Sequence, residues 1–117
     1  MSIKRYESNG RLSRVVAHNG ILYLSGCVCR DVPDIEGQTR SLLRFIEDTL
    51  EKYGSDKRHI LSCQIFLKDI IRDFAPMNAI WEAWVEKGFE PARATVQAKM
   101  ASEELLIEIV VTAAVKQ

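Results

Sequence analysis

Neither sign of charge is in surplus in this chain: sixteen basic side chains meet sixteen acidic ones, for a formal net charge of zero. Proteins that grip a phosphate backbone carry a basic excess, so this balance argues against a nucleic-acid partner. Cysteine is scarce. Cys27, Cys29 and Cys63 are an odd number at no framework spacing, which fits a reducing compartment better than a disulfide scaffold. Cys27 and Cys29 resemble half a zinc site, but no second Cys or His pair stands at a ligand spacing. No metal and no cofactor are therefore expected, and the thiols read as small core residues. His18 and His59 are solitary, which leaves no paired-imidazole acid/base site. No apolar run is long enough to span a bilayer, and Met-Ser-Ile-Lys-Arg-Tyr at the start has no signal-peptide core, so the expectation is a cytoplasmic protein with no membrane partner.

What is present is ordinary globular material, 47% apolar and without repeats or low-complexity tracts, over 117 residues. That length predicts one domain, 1–117, able to bury about two thirds of its unfolded surface. Arg14 to His18 and Ile21 to Gly26 flank Asn19-Gly20, a type I′ turn signal, and read as a hairpin; a short edge strand over Ile3 to Tyr6 precedes it. After Pro33 and Asp34, the residues Ile35, Leu42, Leu43, Ile46, Leu50 and Tyr53 recur at helical spacing and stop at Gly54. Ile60 to Leu67 then alternate as a buried strand, with Leu61, Cys63, Ile65 and Leu67 set against Ser62, Gln64 and Phe66. A second helix is predicted from a cap at Asp73, with Pro76 in its first turn and Met77, Ile80, Trp81, Trp84 and Val85 on its apolar side, ending near Gly88. The two tryptophans read as packing groups against the sheet or a neighbouring subunit. The order of strands, helix, strand, helix and two strands belongs to an α+β sheet with both helices on one face. Oligomerisation is the expected cover for the other face.

The last two strands hold the chemistry. Ala94, Val96 and Ala98 alternate with Arg93, Thr95, Gln97 and Lys99, which predicts a half-buried strand with Arg93 on its polar side. In the run from Leu105 to Val115, Glu108 lies among apolar neighbours, an expensive place for an unpaired charge. Arg93 and Glu108 are therefore expected to share a partly buried polar site. It is open at this point whether they form a structural ion pair or line a cleft for a ligand carboxylate with an acid/base at hand.

Pro91-Ala92-Arg93-Ala94-Thr95-Val96, with Glu108 fifteen positions after Arg93 inside Leu106-Ile107-Glu108-Ile109, resembles the signature of the RidA (YjgF) family of reactive-intermediate deaminases. Leu24-Ser25-Gly26, Phe66-Leu67-Lys68-Asp69, Asp73-Phe74 with Asn78, and Trp81-Glu82-Ala83-Trp84 fit the same pattern, most closely its YoaB-like branch. The resemblance implies a chorismate-mutase-like fold, a six-stranded mixed sheet with two helices on one face, and a homotrimer with ligand clefts between subunits. It also implies hydrolysis of enamine and imine acids, such as 2-aminoacrylate and 2-iminopropionate, to 2-keto acids and ammonia. Arg93 would hold the small carboxylate substrate, with Ser25 and the Gly26 N–H on its other side. Glu108 would activate water, Thr95 would hold the water or the nitrogen, and Asn78 and Ser13 would complete the pocket. Two positions depart from the family: Thr95 replaces the usual Cys, and Ser13 stands nearest to the usual Tyr. Two other functions belong to the same cleft or the same relatives: a non-catalytic binder or sensor of keto carboxylates, and the ribonuclease or translation-inhibitor role, which the net neutrality disfavours.

Overall fold

The computed structural model describes residues 2–117. Asn19 and Gly20 adopt φ of 52° and 79°, the two positive values that a type I′ turn needs. They fold β2 (Ser13–His18) back onto β3 (Ile21–Leu24), with Ala17 opposite Leu22. β1 (Lys4–Ser8) pairs outside β2. α1 (Ile35–Lys52) opens on Asp34, whose carboxylate accepts the Gly37 N–H, and stops before Gly54, where φ is +88°.

β4 (Ile60–Leu67) leads into α2 (Ile70–Trp84), which crosses over to β5 (Ala92–Gln97); β6 (Ile107–Ala114) ends the chain's regular structure. The strand order is β1-β2-β3-β6-β4-β5, with β4 and β5 parallel and the other pairs antiparallel. This is the expected six-stranded mixed sheet with two helices. β6 lies between the hairpin and β4, so β4 separates β5 from β6. The core forms where Ile107, Ile109, Val111 and Ala113 of β6, with Cys63, Ile65 and Leu67 of β4, meet Leu42, Leu43, Ile46 and Leu50 of α1 and Met77 of α2. Each of these apolar residues is almost fully removed from water, the main favourable term in folding.

Three local expectations are corrected. The second helix starts at Ile70, not after Asp73, because the Asp69 carboxylate accepts the Arg72 N–H and caps it one turn earlier. Asp73 is instead buried within that turn and accepts from Arg72 Nε and Nη2, each at 2.9 Å, while Pro76 lies inside the helix. The helix also ends at Trp84, before Gly88, with Val85 as its C-cap. Leu61 does not alternate into the core: a register irregularity between Ile60 and Ser62 turns it outward, 48% exposed. The facing of β5 is the third correction and bears on the site.

Candidate functional site: two half-sites on opposite faces of the sheet

In a paired register, residues opposite one another project to the same face. Arg93 is opposite Cys63 and Thr95 is opposite Ile65, both core positions, so Arg93 and Thr95 point toward the helices. Ala92, Ala94 and Val96 then point to the face that the helices leave open; all three are exposed, Val96 at 42%. This inverts the reading of Arg93 as the outward residue. Glu108 is opposite Phe66, which is opposite Val96, so the carboxylate shares the open face with Val96. Within one protomer Arg93 and Glu108 therefore lie on opposite faces of the sheet. The shared polar site expected of them is not formed inside a single chain.

The Arg93 half is built on α2 and β5. The Arg93 guanidinium carbon lies 5.2 Å from the centre of the Trp81 ring, a cation–π geometry. Among the described residues Arg93 has no carboxylate partner. Thr95 Oγ1, two residues on and on the same face, is buried with no hydrogen-bond partner among them. A hydroxyl left in that state costs about 1–3 kcal/mol. Asn78, half-buried, precedes Trp81 by three positions and so shares its side of the helix. Cys63 lies behind the arginine. Burial pushes its thiol up to about 12 despite the Arg93 charge nearby, so it is a neutral packing group and not a nucleophile.

The Glu108 half is built where β3 runs out. Tyr23 pairs with Thr112, but Cys27 pairs with Ile109, so the chain gains one residue between them, around Ser25 and Gly26. Ser25 N–H bonds the Arg14 carbonyl, and Cys27 exchanges two backbone bonds with Ile109. The Gly26 N–H, between them, has no partner among the described residues. A Cβ on Gly26 would overlap Glu108 Oε2, so only glycine lets the carboxylate lie against the backbone there. Ser25 Oγ donates to the Ser13 carbonyl at 2.6 Å, while Ser13 Oγ bonds Ser8 Oγ at 2.8 Å. Ser13, Ser25, Gly26 and Glu108 are thus brought together, Arg93 and Thr95 share the other face, and Asn78 stands on α2 one turn before Trp81.

Two contributors escaped the sequence reading. Trp81 was assigned to packing alone, and Arg14, whose Nη1 is 3.5 Å from the Gly26 carbonyl, was assigned nothing. The three-residue spacing of Asn78 and Trp81 was the available signal for the first. For the second there was none, since Arg14 stands in an ordinary alternating strand.

The family model for Endoribonuclease L-PSP matches residues 2–115. The chain belongs to this family, that of the YjgF/RidA proteins. The RutC family protein YoaB of Escherichia coli strain K12 is 44% identical over 115 residues, covering 98% of this chain and all of that one. A RutC family protein of Haemophilus influenzae is 40% identical over 119 residues, covering 97% of this chain and 98% of the relative. Among solved structures, a YjgF family member from Neisseria meningitidis superposes with a TM-score of 0.96 at 39% identity, over all of this chain and 98% of that one. The mixed sheet with its two helices is therefore a YjgF/RidA fold. No helix among the described residues is long and apolar enough to cross a membrane.

Proposed function

We propose that this YjgF/RidA protein hydrolyses the C=N bond of small 2-imino acids, at sites shared between copies of a homotrimer. The observation that carries the reading is the separation of Arg93 from Glu108 on the two faces of one sheet, each beside a donor that has no partner among the described residues, Thr95 Oγ1 and the Gly26 N–H. Among the described residues neither Arg93 nor Glu108 joins an ion pair within one copy, and on opposite faces they can meet only across an interface. The exposed apolar side of β5, with the helices covering one face alone, supports such an interface.

In this reading Arg93 of one copy binds the substrate carboxylate in two charge-assisted bonds. The Gly26 N–H of the neighbouring copy approaches the same molecule. Glu108 takes a proton from water as the oxygen adds to C2, and the proton passes to the nitrogen. The resulting carbinolamine loses ammonia and leaves the 2-keto acid. An enamine such as 2-aminoacrylate enters as its imine tautomer. Because the substrate is already reactive, positioning and one base suffice. A second reading, a non-catalytic binder of keto carboxylates, is favoured by Thr95, a hydroxyl beside Arg93 where active relatives carry a thiol.

The test supplies 2-aminoacrylate from a separate dehydratase and follows its decay. The proposed activity predicts faster release of pyruvate and ammonia in proportion to added protein. Decay unchanged at stoichiometric protein would remove the deaminase reading for this substrate.

A further inference from the structure

Arg93 has no ion-pair partner among the described residues, and what holds it is aromatic. An arginine side chain has several rotatable bonds, and a carboxylate is gripped in two parallel bonds only when the guanidinium plane is already set. No carboxylate among the described residues sets it here. The Trp81 ring does, at 5.2 Å from the guanidinium carbon. Trp81 is itself fixed. It is 6% exposed, and it packs on Trp84 with ring centres 5.6 Å apart. Trp84 is anchored in turn, its Nε1 donating to Glu47 of α1 at 2.9 Å and its carbonyl accepting from Lys57 Nζ at 2.8 Å. The chain of contacts runs from the helix–helix contact to the arginine.

We infer that Trp81 is a positioning residue that holds the Arg93 guanidinium by its face and leaves the donor edge free for a substrate carboxylate. An acidic partner would fix the arginine equally well, but it would occupy that edge and cancel the charge. An indole face does neither. Carboxylate recognition by Arg93 is part of the function proposed above, and the inference rests on it.

Calorimetric titration with pyruvate separates the two. Arg93→Ala removes binding if the carboxylate reading holds; binding by this variant equal to wild type sinks that reading, whatever Trp81 does. With Arg93-dependent binding in hand, Trp81→Leu weakens pyruvate affinity by about tenfold. In turnover it raises KM more than it lowers kcat, and Trp81→Phe restores most of the loss. Site-specific fluorinated tryptophans at position 81 keep the shape while draining the ring's negative face, so affinity falls stepwise with each added fluorine. That series also answers the question if Trp81→Leu does not fold. Affinity that stays flat across the fluorinated series overturns the inference.

Discussion

Arg93→Ala is expected to weaken binding of pyruvate and of 2-imino acids by about 100-fold or more while leaving the fold intact. The size follows from two charge-assisted hydrogen bonds lost together, about 1.5–3 kcal/mol each. The intact fold follows from the surroundings: Arg93 joins no ion pair among the described residues, and its contact with Trp81 is worth about 1 kcal/mol. Thermal unfolding should therefore move by only a few degrees. Arg93→Lys keeps the charge without the fork and should recover part of the affinity. Calorimetry on the three proteins measures this directly. Wild-type affinity in Arg93→Ala would mean that the carboxylate is held elsewhere.

Glu108→Gln should lower kcat by about 10²–10⁴ while pyruvate affinity stays within a few-fold of wild type. The amide keeps size and hydrogen bonding but cannot take a proton from water. Gly26→Ala supplies a second route to the loss of turnover. A methyl group there overlaps Glu108 Oε2, the far end of a flexible side chain, so Gly26→Ala moves the carboxylate away while leaving it in the protein. Both variants should fail in turnover, and Glu108→Gln should still bind pyruvate. Steady-state kinetics beside calorimetry separates the deaminase from the binder: if Glu108→Gln turns over at the wild-type rate, the base lies elsewhere.

The elements whose boundaries are set by local chemistry were readable from the residues. Asn19-Gly20 specified its turn, and Asp34 and Gly54 bracketed α1. Asp69 and Asp73 are both capping residues by type, and sequence offered no means of choosing; the choice fell to Asp69, with Asp73 drawn into the first turn by Arg72. The facing of β5 was misread for a different reason. Alternation reveals which residues share a side but not which side is covered within the chain, and β5 turns its small apolar residues toward the open face. Glu108 and Arg93 both stood out in the sequence as charges in the last two strands. Their separation was not legible, because it depends on β4 lying between β5 and β6 and on the register of both pairings.

The most direct test of sites shared between copies is a mixing experiment. Arg93→Ala and Glu108→Gln, each inactive alone, are unfolded together in equal amounts and refolded. A site that takes its arginine from one copy and its glutamate from another is intact whenever the two wild-type residues meet, in about a quarter of random interfaces, so about a quarter of wild-type activity should return. Refolded mixtures no more active than either variant alone would contradict a site divided between subunits.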